Sequence, residues 1–403
     1  MTQRNFINDK IRGCLMAGAA GDALGYAVEF DSLKAIKARY GEQGITKFDI
    51  LKDCKALISD DTQMTLFTAN GVLVGLARHY MRGIGAPLEY YARFAYIDWY
   101  YTQTGDKRDN GLAYTWLRDL PEMASRRAPG NTCLAACKSL FENKDVQNNS
   151  MGCGGIMRVA PLALIASNYE AIGKGAYTIE GIARGGAEIA EWTHKHPLGY
   201  VPSAALAVLL YKIVPLSVNE VCEQIDQIVA EMVEIVDRIY TEGGEEQAKI
   251  QFKEVTEKAM HLAHSDIPDI EAIKQLGEGW VALEAWAIAL YCAVRHIDSV
   301  EDAIIAAVNH DGDSDSTGSI CGNIMGVIYG YEHIKERNIF CPEGLGLEQT
   351  LELSEIILAL ADDLSSECPI GEYMQIETPE QIQWLLRYCD MEPAGIGKTE
   401  NNN

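Results

Sequence analysis

Apolar residues recur three and four positions apart along most of the chain, while strand-like alternation is scarce. The spacing of Ile11, Leu15, Gly18 and Asp22 predicts a helix within the small-residue stretch Gly13 to Gly25, where neighbouring backbones can approach closely. Such a helix carries Asp22, and then Glu29, toward the interior. Leu66, Ala69, Leu73, Leu76 and Tyr80 predict a second helix whose first turn holds Asp60 and Asp61 behind Ser59. The clearest stripe runs through Val218, Val221, Ile225, Ile228, Met232, Ile235 and Ile239, opened by the capping box Ser217 with Glu220. Gly243-Gly244 ends it, and a second amphipathic helix to about His264 completes a predicted antiparallel hairpin over 217–264 with a solvated outer face. Further helices are predicted over Val281 to Val294, Ser299 to Val308 and Leu347 to Leu364. Ile45 to Lys52 reads as a short strand or extended loop, and the alternation of His194 with His196 suits a strand. With no repeat and no flexible linker, the expectation is one all-α domain over 1–403, compact around a buried polar centre, with a C-terminal helical extension from about 342.

Two acidic runs interrupt this pattern. Ser59-Asp60-Asp61-Thr62 and Asp311-Gly312-Asp313-Ser314-Asp315-Ser316-Thr317-Gly318 both stand at predicted helix starts. A lone pair of aspartates there is most simply a cap. Two runs of the same chemical type, each flanked by hydroxyls, point further, because carboxylates crowded together repel and a bound cation relieves them. The second run is no EF-hand loop, since Ser316 and Gly322 occupy the positions that would need glycine and glutamate. A phosphatase of the aspartyl-nucleophile type would set its aspartates at the end of a parallel strand, and this chain is poor in strands. The alternative that fits is a site of oxygen ligands drawn from distant segments, suited to Mg2+ or Mn2+.

A third segment, Asn148 to Arg158, is glycine-rich and precedes the apolar run Val159 to Ile165, an arrangement in which backbone N–H groups can converge on an anion or simply make a tight turn. It matches neither P-loop nor dinucleotide spacing. The aromatic stretch from Leu88 to Trp116 reads as core. The formal charge of −24 over 403 residues disfavours nucleic acid and anionic membrane as general partners. The polar start, the absence of long apolar windows and eleven cysteines without a C-x-x-C pair suit a cytoplasmic protein with reduced, mostly buried thiols.

The chain resembles the ADP-ribosylglycohydrolases, a group that includes the dinitrogenase reductase-activating glycohydrolase and the eukaryotic ADP-ribose hydrolases. The resemblance rests on Gly21-Asp-Ala-Leu-Gly25 with Glu29, on Ser59 to Thr62, on Gly152 to Arg158, on Thr193-His194 and on Gly312 to Gly318, in that order. It implies an orthogonal all-α bundle around two Mg2+ or Mn2+ ions, with Ser59, Asp60, Asp61, Asp313, Asp315 and Ser316 as ligands. Glu29, Asp61 and Asp313 would be catalytic, Glu29 touching the metal or gating the site. Asp22, Ser150, Gly152, Cys153, Gly154, Gly155 and His194 would line the substrate pocket, although relatives commonly carry asparagine where Cys153 stands. The implied reaction is hydrolysis of the glycosidic bond between ADP-ribose and an acceptor, a protein side chain or a small molecule, with ADP-ribose as product. The competing readings are another two-metal hydrolase acting on phosphate esters or nucleoside-linked substrates, and a silent ADP-ribose-binding relative.

Overall fold

The computed structural model describes residues 2–50, 55–83, 85–105, 113–175, 177–241, 243–371 and 375–389. The described part is mainly helical, with no named strand; extended pairing is limited to two isolated bridges, Ala56 with Leu351 and Gly152 with Val281. The all-α expectation holds. The last residues of the expected C-terminal extension, 390–403, lie outside the described residues. No helix among the described residues is long and apolar enough to cross a membrane.

Two helices form the axis of the molecule. The N-terminal helix Gln3–Tyr26 is buried from Ile11 to Gly25 except at Arg12, all round rather than along one face. It lies antiparallel to the helix Ser314–Tyr329, which is buried from Ser314 to Ile328. Glycine permits this approach. A Cβ on Gly21 would stand 2.1 Å from the Gly318 carbonyl oxygen, and one on Gly322 would stand 2.2 Å from that of Ala17. Backbone therefore meets backbone, and Asn323 seals the contact by donating from Nδ2 to the Cys14 carbonyl at 3.0 Å. The antiparallel sense brings the C-terminal end of the first helix, with Asp22 and the following Glu29, to the N-terminal end of the second, with Asp313 and Asp315.

The helix Asp60–Arg82 closes the third side. Ser59 is its N-cap, accepting from the Asp61 amide at 3.1 Å, and 18 of its residues, from Asp60 to Ala77, are buried. The predicted hairpin is present as Val218–Ile239, opened by the Ser217–Glu220 capping box, and Gly243–Ala263. Lys249 pairs with Asp237 at 3.0 Å and His264 with Asp226 at 2.9 Å, as antiparallel neighbours must. Tyr96, Trp99 and Tyr100 of the aromatic stretch lie in the core.

Two expectations are corrected, and a third, left between strand and loop, is resolved. His194 and His196 sit in a turn between the helices Ile179–Glu191 and Pro197–Ile213, where His196 caps the second by accepting from the Leu198 amide at 3.0 Å; no strand forms. The single helix expected over Leu347 to Leu364 is two, Leu347–Thr350 and Ser354–Leu364. The break at Leu351 to Leu353 places Glu352 where it accepts from the Ile58 amide and Arg127, contacts no local pattern reveals. Residues Ile45 to Ile50 are loop, tied down through Ile45 to Asn309; 51–54 lie outside the described residues.

Candidate metal centre

The convergence of three helix ends gathers six carboxylates, Asp22, Glu29, Asp60, Asp61, Asp313 and Asp315, none more than 8% exposed. One oxygen from each of Glu29, Asp313 and Asp315 lies within 4.8 Å of the other two. Glu29 thus stands inside the cluster as closely as the aspartates do. Asp313 is the N-cap of Ser314–Tyr329, and Asp315 accepts from the Ser316 amide at 2.9 Å. On the facing side Asp60 accepts from the Gly130 amide at 3.3 Å.

Asp22, expected at the substrate pocket, holds a neighbouring helix start in this structure. It is fully buried, and its carboxylate accepts from the amides of Ser59 (2.9 Å) and Thr62 (3.0 Å) and from the Thr62 hydroxyl. Three of the contacts, from both amides and the hydroxyl, fall on Oδ2, and through them Asp22 fixes the start of the helix Asp60–Arg82.

Burial is the main force on these groups. It pushes Glu29 up to about 10, with the charges of Asp315 and Asp313 adding to the effect. Burial and then Asp315 hold Asp60, Asp61 and Asp313 well above the usual carboxylate range, and raise Asp22 to about 7. The two acidic runs flank the same helix end: Asp22 holds Ser59 and Thr62, and a Cβ on Gly25, one turn on, would lie 2.2 Å from the Ser314 carbonyl oxygen. Glu29 Oε2 and Asp61 Oδ2 are buried with no hydrogen-bond donor among the described residues. Orphaned carboxylate oxygens in a cluster of like charge fit a cation, and an all-oxygen donor set of this kind suits a hard one.

The glycine-rich segment forms a short 3-10 helix, Cys153–Arg158, ahead of the helix Ala160–Ala171. Two of its amides are already engaged: that of Gly152 donates to Ser150 Oγ at 3.3 Å and that of Cys153 to the Trp280 carbonyl at 3.2 Å. Glycine matters here by leaving room, since a Cβ on Gly154 would come 2.8 Å from Cys133 Sγ and 3.2 Å from the His194 ring, and one on Gly155 would strike Ala190. Ser150, Gly152, Gly154 and His194 thereby form one group. Cys153 joins it to the carboxylates, its thiol donating to Asp313 Oδ2 at 2.6 Å. Burial and then the Asp313 charge push the Cys153 thiol well up, so it stays protonated in this setting.

Three features escaped the sequence. Phe30, next to Glu29, and Trp280, whose carbonyl holds Cys153, stack with ring centroids 6.4 Å apart and are 75% and 40% exposed. Two exposed aromatics beside an acidic centre could have been suspected only from their adjacency to Glu29 and to the turn at Gly279. Arg158 is fully buried beneath the glycine segment. The strap Glu278-Gly279 crosses Asp313, whose amide donates to the Glu278 carbonyl at 2.8 Å.

A family model described as ADP-ribosylglycohydrolase matches residues 3–370. The chain belongs to the ADP-ribosylglycohydrolase family. Among relatives, mouse ADP-ribosylhydrolase ARH3 is 26% identical over 50% of this chain and 56% of its own, so the chain spans little more than half the length of that relative. An uncharacterized protein of Archaeoglobus fulgidus is 26% identical over 79% of this chain and 88% of its own. The ADP-ribosyl-[dinitrogen reductase] glycohydrolase of Rhodospirillum rubrum is 22% identical over 81% and 88%. A solved structure titled "ADP-ribosylglycohydrolase-related protein complex" superposes with a TM-score of 0.50 at 20% identity, covering 90% of this chain and 98% of that one. That likeness is of fold. It agrees with the bundle expected for an ADP-ribosylglycohydrolase.

Proposed function

We propose that the protein is a metal-dependent hydrolase that cleaves the glycosidic bond between ADP-ribose and an acceptor, a protein side chain or a small molecule, and releases ADP-ribose. The observation that carries this reading is the buried acidic cluster with unfilled oxygens on Glu29 and Asp61, in a chain of this family. Its ligand set is Ser59, Asp60 and Asp61 on one side and Asp313, Asp315 and Ser316 on the other, with Glu29 between them. Two Mg2+ or Mn2+ ions held there would offset the clustered charge, orient the hydroxyls of the distal ribose and polarise a water.

The chain's own groups do the rest. With bound cations offsetting the neighbouring charge that raises it, Glu29 would be ionised and, facing the cluster with a free oxygen, would take the proton from the attacking water, while the aspartates stabilise positive charge that develops at the anomeric carbon as the acceptor departs. The acceptor leaves with a proton and water supplies the new hydroxyl. Burial of the centre keeps bulk solvent from weakening these interactions. Ser150, Gly152, Gly154, Gly155 and His194 form the wall against the ADP-ribose, and Cys153 steadies Asp313. A panel of ADP-ribosylated arginine, serine, guanidine and nucleobase compounds, offered with Mg2+, Mn2+ or EDTA, is the test. Free ADP-ribose detected by mass spectrometry with a metal and absent with EDTA is expected. Turnover of plain phosphate esters instead would replace this reading.

A further inference from the structure

Beneath the glycine segment lies a cation without a counter-charge. Arg158 is fully buried; its guanidinium faces the Tyr96 ring at 4.3 Å, one nitrogen approaches Met64 Sδ at 3.1 Å, and the other donates to the Thr193 hydroxyl. No carboxylate pairs with it among the described residues. An arginine can only donate, so Thr193 Oγ1 is an acceptor in that bond and has one proton left to give.

Two acceptors compete for that proton, His194 Nδ1 at 2.8 Å and the Ala190 carbonyl at 3.3 Å. The ring nitrogen is closer. The neighbouring guanidinium also favours a ring edge that presents a lone pair over one that presents an N–H, because the positive charge attracts the first and repels the second. Nδ1 is therefore the bare nitrogen, and Nε2 carries the hydrogen. Burial and Arg158 push His194 down to about 3, so the ring is neutral and its tautomer defined.

Nε2 points at the substrate wall. A Cβ on Gly152 would lie 3.2 Å from it and one on Gly154 3.5 Å, so the two glycines leave open the space that side chains would fill. His194 is only 2% exposed, yet among the described residues nothing accepts a hydrogen bond from Nε2. An N–H that no protein group satisfies, on a ring otherwise shielded from solvent and facing the space the two glycines leave open, is placed to donate to a ligand there.

We propose that Arg158 and Thr193 are positioning residues which lock His194 in its Nε2–H form, so that the ring donates to an oxygen of bound ADP-ribose. The inference rests on the reading of the site as an ADP-ribose pocket. The relay explains why a cation is buried without a carboxylate: a carboxylate at that point would draw the Thr193 proton, or the ring's, to itself.

The full chain carrying 15N-labelled histidine, with its His194 signals assigned by comparison with His194→Asn, reports the tautomer directly, and calorimetry with Mg2+ reports ADP-ribose affinity. The wild type is expected to show the Nε2–H form. Thr193→Val should weaken ADP-ribose binding about tenfold, as loss of one well-aligned hydrogen bond does, and relax the tautomer bias; Thr193→Ser should restore both. A wild-type ring protonated on Nδ1 overturns the relay without any variant, and so does a Thr193→Val protein with unchanged tautomer and affinity. A wild type that binds no ADP-ribose removes the ligand reading, and the ring signature then decides the Arg158–Thr193 relay alone.

Discussion

At the scale of single residues, the acidic centre is a set of groups whose charged forms are disfavoured by burial and by one another. A carboxyl whose folded value is raised contributes stability at low pH and loses it as pH rises toward the folded value. Without a cation the protein should therefore weaken between about pH 5 and 8, where carboxylates of an unfolded chain are already ionised. Asp313, raised by burial and then by Asp315, is the group on which to check this. Asp313→Asn in EDTA should melt at the same temperature as the parent or higher and depend less on pH, because one buried charge is gone. The parent should gain several degrees on adding Mg2+ and the variant clearly less, since a ligand that binds only the folded state stabilises by mass action. ADP-ribose release by the variant should be abolished. Scanning calorimetry in EDTA and in Mg2+, with the release assay alongside, checks all three; a variant that melts early in EDTA and still turns over would show Asp313 to be structural.

At the scale of elements, the position of the centre follows from the antiparallel contact of Gln3–Tyr26 with Ser314–Tyr329. Because a Cβ on Gly322 would stand 2.2 Å from a backbone oxygen that cannot rotate away, Gly322→Ala must push the helices apart. Overpacking of this kind costs about 1–3 kcal/mol, and the displacement is felt where the two helices deliver Asp22, Glu29, Asp313 and Asp315. Gly322→Ala is expected to lower the urea midpoint and to weaken Mg2+ binding. Gly371→Ala, at a position where an added Cβ meets nothing within 4 Å, should change the urea midpoint by no more than the equivalent of about 0.5 kcal/mol. Equal effects from the two substitutions would deny the helix contact its role in placing the site.

At the scale of the whole molecule, one hydrophobic cluster runs from Ile7 to Tyr388, and buried thiols are part of it. All ten described cysteines are free. Burial pushes Cys133 up to about 11 and Cys14, Cys137 and Cys321 higher still, so the folded chain keeps protons that an unfolded chain releases from about pH 8.5 upward. The unfolded state then binds fewer protons, and stability falls as pH rises. Lys10, lowered to about 8 by burial, acts in the opposite sense over its own window but is one group against several. With reductant and saturating Mg2+ present, the urea midpoint at pH 9.5 should lie below that at pH 7.5 by the equivalent of more than about 1 kcal/mol; an unchanged midpoint would mean that the thiols are not held protonated in the core.

The helices, the Ser217–Glu220 capping box and the two acidic helix starts were legible in the sequence, because periodicity and capping act over three or four residues and are written in adjacent letters. The sequence also named Glu29 and the aspartates as a set. It could not say which of their oxygens are free. Asp22 reads like its neighbours, but its partners are the amides of Ser59 and Thr62, some 37 and 40 positions away. The thiol of Cys153 reaches Asp313 across 160 positions, and Arg158 reaches Thr193 across 35. Such pairings are decided by how helices stack, and stacking is the sum of many weak contacts with no local signature. The chain's letters by themselves determined a helical protein with acidic helix ends; only the packing of backbone against backbone at Gly21, Gly318 and Gly322 determined that those ends would face one another, and which of their oxygens were left for a cation.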